Sequence, residues 1–217
     1  MPQLLEFESV SKRFPSRELF TDLSWGMAAG ERVLLRGANG SGKTTLLKLI
    51  ATLIRPTSGT IRIHGRSIWT HPLETRKCFA YLSPDERSFY WKLTGTQNLR
   101  FFGRLQYLSS KELAERSERL ASAFQLDKDL DRPFQEYSSG MRQKLSLIRA
   151  LMLNRSLYLL DEPDRHLDAE GLAALETILG EKISSGAAVL VVTAAPSTAL
   201  GGKSYVLADG RIRENHT

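Results

Sequence analysis

Eight consecutive residues, Gly37-Ala38-Asn39-Gly40-Ser41-Gly42-Lys43-Thr44, satisfy the pattern G-x-x-x-x-G-K-[ST] in full. Glycines let a backbone curl tightly, so that successive N–H groups point inward at phosphate oxygens. A helix starting at the end of such a loop adds the positive end of its dipole. Lys43 can neutralise the terminal phosphates of a nucleotide, and the Thr44 hydroxyl can ligate Mg²⁺. Ordinary residue usage would produce the pattern by chance in roughly one chain of this size in a hundred.

A second group lies far along the chain. Leu157-Tyr158-Leu159-Leu160 is an apolar run that ends in Asp161-Glu162. Acids at the tip of a buried strand lie where ligands bind in open α/β sheets. Asp161 would hold Mg²⁺ directly or through water, and Glu162 would polarise an attacking water. Taken alone the pair also fits a plain surface turn; the phosphate loop upstream favours the chemistry. Between the two groups, Ser138-Ser139-Gly140 opens a helix, and Ser138 suits its cap.

These residues need elements to hold them. Glu31 to Gly37 reads as a buried strand entering the glycine turn, and Thr44 to Leu53 as an apolar helix. Leu4 to Val10 reads as a first strand. Leu157 to Leu160 and Ala188 to Thr193 are unbroken apolar runs, as expected of strands covered on both faces. Tyr205 to Ala208, followed by Asp209-Gly210, reads as a hairpin strand. From about Asp85 to Leu153 the pattern is mainly helical. Thr94 with Gln97, and Ser109 with Glu112, fit capping boxes. The second opens a charged helix, Lys111 to Phe124, with Leu113, Leu120 and Phe124 on its apolar side. The expected fold class is α/β, interrupted by a helical insert.

Composition sets the outer bounds. A chain of 217 residues, 41% hydrophobic and 25% charged, fits one domain with an inserted subdomain. One cysteine, Cys78, leaves no internal disulfide framework, and with four scattered histidines it makes no metal cage. No signal pattern opens the sequence, and no apolar run approaches the roughly 18 residues of a membrane span. The charge of +6 reads most simply as a solvated surface. Nucleotide attraction, an anionic membrane surface and nucleic acid are its sharper readings.

Together with these groups, the segment Tyr137-Ser138-Ser139-Gly140-Met141-Arg142-Gln143-Lys144 resembles the signature of ABC transporter nucleotide-binding domains. The resemblance covers nearly the whole chain and implies a P-loop NTPase core with a mixed sheet. That core spans about 1–84 and 154–217, with a helical signature subdomain at about 85–153. It implies ATP and Mg²⁺ as ligands, with Thr45 beside Gly37 to Thr44 at the nucleotide. Phe14 sits where the family stacks an aromatic on adenine, and a core phenylalanine is the alternative. In the family two subunits sandwich ATP head to tail, so Ser138, Ser139 and Gly140 of one chain would face Lys43 of the other. Leu167-Asp168 matches the end of the family's D-loop. The segment Ser83 to Leu99, with DERSFYWKLTG at its core, resembles an exporter-type subgroup.

Three positions depart from the family. The glutamine that senses the membrane subunit is matched by Asp85, or by Glu86; either acid could reach Mg²⁺ through water, but neither donates as an amide does. The histidine after the strand Val189 to Thr193 is replaced by Ala194, and none of His64, His71, His166 and His216 takes its place in the motif order. Losing one positioned donor can cost roughly a hundredfold in rate, so weakened hydrolysis is expected. Asp164, Arg165 and His166 replace small residues between Pro163 and Leu167.

The leading expectation is an ATPase subunit of an ABC transporter, of export type, with Lys43 and Glu162 as its catalytic residues and Thr44, Asp161 and Asp85 at the metal. Its partners would be a transmembrane permease subunit and a second ATP-binding subunit, identical or different. Its place would be the cytoplasmic face of the membrane. A chain that binds ATP but hardly hydrolyses it, paired with a competent partner, is the second reading, favoured by Ala194 and opposed by Glu162. An ABC-type ATPase acting on nucleic acid is the third; the tandem domains, coiled-coil arms or zinc inserts usual there are missing from this sequence.

Overall fold

The structure, a computed structural model, describes residues 3–83, 88–194 and 200–215. Two units are distinct: Met1–Tyr81 with Arg155–Glu162 and Leu179–Thr217, and Leu82–Asn154 with Pro163–Ile178.

The first unit is built on two sheets. β1 (Gln3–Phe14) and β2 (Arg17–Ala28) pair antiparallel, and β4 (Ser58–Ile63) and β5 (Arg66–Ser67) extend that sheet in the order β2-β1-β4-β5. Bulges interrupt the β1–β2 register, and Ser9 and Asp22 take left-handed backbone with φ of 47° and 54°. The other sheet contains β3 (Arg32–Arg36), β6 (Phe79–Leu82), β7 (Leu157–Asp161), β8 (Ala188–Thr193), β9 (Lys203–Ala208) and β10 (Arg211–Glu214). Its order is β10-β9-β3-β8-β7-β6, with β9, β3, β8 and β7 parallel. Every residue of β7 and β8 is buried, which explains their unbroken apolar sequence. Asp209 and Gly210 both have positive φ, 49° and 71°, as a two-residue hairpin turn between β9 and β10 demands.

α1 (Lys43–Ile50) places Leu46, Leu47, Leu49 and Ile50 in one core with Leu5, Phe7 and Val10 of β1 and with Val33, Leu159, Leu190 and Val192 of the parallel sheet. The expected helix to Leu53 stops earlier, because Thr52 turns left-handed at φ 59°. A short helix, α2 (Pro72–Arg76), precedes β6.

The second unit carries α3 (Gly95–Leu105), α4 (Ser110–Ala123) and α5 (Ser139–Leu151), together with the start of α6 (Ala169–Ser184). Both expected capping boxes form. Gln97 N donates to Thr94 Oγ1 at 3.2 Å and Thr94 N to Gln97 Oε1 at 2.9 Å. The Ser109–Glu112 box has the matching bonds at 3.2 and 3.0 Å. Leu113, Leu120 and Phe124 are buried, as the α4 periodicity requires. Phe89 stacks on Phe134 with centroids 4.6 Å apart, and Phe102 meets Phe89 edge-on. Arg149 lies over Phe89 and Phe102 at 4.2 and 4.7 Å. Among the described residues no helix is long and apolar enough to cross a membrane.

Candidate functional site

β3 is hydrogen-bonded on both sides, to β8 and β9, so its end is fixed where the glycine loop begins. Ser41 N closes the loop on Ala38 O at 3.1 Å. Gly42 caps α1 with φ 108°, and a Cβ there would lie 2.8 Å from the Phe20 ring, so no side chain fits. Lys43 and Thr44 therefore leave the loop on the first turn of a helix, where backbone N–H groups are unspent.

A cavity of about 460 Å³ opens over this turn. Asn39, Gly40, Gly42, Lys43, Thr44 and Thr45 form one wall. Phe14, Ser16, Arg17 and Leu19, from the β1–β2 hairpin, form another, and Glu162 also lines it. Phe14 is 38% exposed, with Lys12 Nζ 4.7 Å above its ring, so it is not a core residue. Arg17 Nη1 donates to Gly40 O at 2.9 Å and ties the hairpin to the loop. Ser16, Arg17 and Leu19 were not expected; nothing in their types marks them, and only the hairpin brings them to the loop.

Lys43 is 7% exposed and donates to the Gly37 and Ala38 carbonyls at 2.7 and 3.0 Å. Burial lowers its pKa, against the pull of Glu162 and Asp161, which raises it. Asp161, at the end of β7, is 2% exposed. Burial pushes its carboxyl up to about 6, Glu162 adds to this, and the Thr44 hydrogen bond, Lys43 and Lys48 oppose it. Oδ2 of Asp161 is buried without a hydrogen-bond partner among the described residues, and so is Ser41 Oγ. A buried carboxylate oxygen with nothing to accept from, beside a threonine hydroxyl, is a donor set suited to a hard divalent cation. Thr44 and Asp161 thus fit Mg²⁺.

Glu162 has φ 47°, uncommon for a side chain with a Cβ, and its N–H donates to Val192 O at 2.9 Å. Arg36, the residue before Gly37, pairs with Thr193, so exposed Ala194 emerges level with the start of the phosphate loop. His64 and His71 are engaged elsewhere, with Ser156 Oγ at 2.9 Å and Thr70 Oγ1 at 2.8 Å. Ser138, Ser139 and Gly140 belong to the second unit, where Met141 N donates to Ser138 Oγ at 3.2 Å. Asp85 and Glu86 lie outside the described residues.

Comparison with known proteins agrees with this geometry. The family model described as "ABC transporter" matches residues 20–165. The ABC transporter ATP-binding protein NatA of Bacillus subtilis is 34% identical over 76% of this chain and 69% of its own length. The macrolide export ATP-binding/permease protein MacB of Salmonella choleraesuis is 31% identical over 99% of this chain, which spans 35% of that protein. The lipopolysaccharide export system ATP-binding protein LptB of Acidithiobacillus ferridurans is 31% identical over 98% of this chain and 89% of its own length. A solved structure titled as the ATP binding subunit of an ABC transporter superposes with a TM-score of 0.89 at 31% identity, over 98% of this chain and 89% of that one. The chain belongs to the ATP-binding proteins of the ABC transporter family.

Proposed function

We propose that this chain is the ATP-hydrolysing subunit of an export-type ABC transporter and works through separate transmembrane subunits. One observation carries the reading: Lys43, Thr44 and Glu162 line a single cavity, with Asp161 directly behind it. Export is supported by the relatives named for macrolide and lipopolysaccharide export, and a permease partner by the one that joins both parts. Such a subunit sits on the cytoplasmic face, held there by its permease.

In this reading the first unit is the ATP-binding core and the second the signature subdomain. The loop amides and Lys43 hold the phosphates, and Phe14 stacks on the base. Asn39, Gly40 and Thr45 complete the phosphate wall. Thr44 and Asp161 hold Mg²⁺, which when bound neutralises phosphate charge. Glu162 orients water toward the γ-phosphate and takes its proton. Ser138 to Gly140 of a second subunit, identical or different, close the site through the N-terminus of α5.

A second reading, strong ATP binding with slow hydrolysis, is favoured by Ala194. A methyl group at that level of the sheet can neither donate to a γ-phosphate nor orient water.

The test is Mg-ATP hydrolysis by the purified chain beside its Glu162→Gln variant. Turnover that the variant loses by roughly a hundredfold or more supports the first reading. ATP binding without Glu162-dependent cleavage overturns it in favour of the second.

A further inference from the structure

Phe14 and Arg17 stand directly opposite each other at the tip of the β1–β2 hairpin, where Pro15 and Ser16 make the turn. Both line the cavity, and the phosphate loop beside them belongs to the same unit. Nearer its root the hairpin packs on that loop through apolar side chains. A Cβ on Gly42 would lie 2.8 Å from Phe20 and 3.0 Å from Leu19. At the tip the contact is polar. Arg17 Nη1 donates to Gly40 O at 2.9 Å and would stand 3.8 Å from a Cβ on Gly40.

The Gly40–Ser41 peptide is thereby held at both ends. Its carbonyl accepts from Arg17, and its N–H, that of Ser41, donates to Ala38 O at 3.1 Å. Gly40, at φ 79°, has a backbone freedom that a residue with a Cβ lacks, so a tie at this point removes motion that the sequence alone would allow. Phe14 is fixed from the other direction. Lys12 Nζ covers one face of its ring at 4.7 Å and is itself held by Arg55 O at 2.9 Å.

Arg17 therefore joins the ring that would take a base to the loop that would take phosphates. Among the described residues it pairs with no acid; the neighbouring Glu18 is taken by Arg13. A ligand gripped at two places binds more tightly when the spacing of the grips is fixed beforehand. A ligand gripped by the loop alone gains nothing from that spacing.

We propose that Arg17 is a positioning residue that sets the spacing between Phe14 and the phosphate loop, and so makes the site select nucleoside polyphosphates over bare polyphosphate. The inference rests on the reading of Phe14 as the base-stacking residue. It gives a role in ligand choice to a residue outside the phosphate loop and the acid pair.

The test is calorimetric titration of the wild type, Arg17→Met, Phe14→Ala and the double variant with ATP, ADP and inorganic triphosphate, each with Mg²⁺. Arg17→Met should weaken ATP and ADP roughly tenfold, through lost preorganisation. Inorganic triphosphate should weaken by less than about threefold, the share owed to one exposed positive charge. Phe14→Ala should give the same pattern, and the double variant should lose little more than either, because the tie has no ring left to position. Equal loss of ATP and triphosphate would show Arg17 acting as a charge or on the loop alone, and overturns the inference. Unchanged ATP affinity does the same, as does a double variant that loses roughly a hundredfold. A lowered unfolding temperature with no separation of the ligands marks a merely structural arginine and also overturns it. In each of these outcomes Phe14 keeps its own effect on ATP. Loss of that effect in Phe14→Ala overturns the reading of Phe14, and the inference with it. Should Arg17→Met not fold, Arg17→Ala decides by the same comparison of ATP with triphosphate.

Discussion

The Thr44 hydroxyl donates a hydrogen bond to the Asp161 carboxylate, joining the first turn of α1 to the tip of β7. Two segments more than a hundred residues apart in sequence thus present adjacent oxygens under one cavity. The pair is poorly solvated, with Asp161 2% exposed, and this makes it costly to keep in the absence of a cation.

That cost is measurable. Burial raises the folded-state pKa of Asp161 to about 6 from its ordinary value of 3.8. The folded state therefore holds this proton more tightly than the unfolded chain. The stability it contributes is full below about pH 4 and is lost as pH rises through 6. Without metal or nucleotide, Asp161→Asn should stabilise the fold at pH 8 by up to about 3 kcal/mol, and by much less at pH 5. Thermal unfolding in a chelator at both pH values checks this. The same variant should lose the stabilisation that Mg-ATP gives the wild type. A variant less stable than wild type at pH 8 would mean that Asp161 has a compensating cation within the protein.

Phe14 separates two readings cleanly. A core phenylalanine replaced by alanine loses about 3–5 kcal/mol of stability. A side chain 38% exposed at the cavity wall should lose far less, about 1 kcal/mol. Phe14→Ala should instead weaken ATP binding roughly tenfold, in line with the loss of one stacking contact of about 1–3 kcal/mol. Titration with ATP and with inorganic triphosphate locates the loss, since only the ligand with a base should feel it.

Ala194 sets a third expectation. Its backbone is level with the start of the phosphate loop, one residue beyond the Arg36–Thr193 pair. Ala194→His should place a donor there and raise kcat roughly tenfold to a hundredfold, with ATP affinity nearly unchanged. Single-turnover hydrolysis reports the gain. No gain, with wild-type turnover already fast, would mean that another group positions the γ-phosphate.

How much of this was legible in the sequence follows from how local each feature is. The phosphate loop is eight contiguous residues whose types state their chemistry, and β7 and β8 show as unbroken apolar runs because both their faces are covered. The capping boxes are three-residue relations and were equally readable. β2, β4 and β5 were not. Their sheet is antiparallel and one-sided, and bulges near Ser9 and Asp22 break the alternation that would announce it. Arg17 was invisible as a cavity residue for a related reason. A cation on a strand looks like solvated surface until the fold brings Gly40 O against it.

Asn98 shows the same limit and leads to the last prediction. It is fully buried on α3, and its side chain lies within hydrogen-bond distance of four backbone groups, the two Nδ2 hydrogens being shared among three carbonyls. Oδ1 accepts from Tyr90 N at 2.9 Å, while Nδ2 faces the carbonyls of Tyr90, Leu93 and Thr94 at 3.0, 3.3 and 3.0 Å. Asn98→Leu keeps the branched shape and the number of side-chain heavy atoms but leaves Tyr90 N–H without its acceptor, while the three carbonyls keep backbone donors from Leu93, Phe134 and residue 98, and should cost about 1–3 kcal/mol. Asn98→Asp keeps the acceptor and turns a carboxylate oxygen toward carbonyl oxygens. Ionised, it is worse than leucine; protonated, it recovers one donor. Urea unfolding should therefore rank Asn98→Asp below Asn98→Leu at pH 8 and bring it closer to the wild type at pH 5. The reverse order at pH 8 would mean that the amide matters through its shape rather than its donors. Because the side-chain hydrogen bonds of Asn98 go to residues 90–94 of its own unit, ATP affinity in both variants should follow the wild type wherever they remain folded.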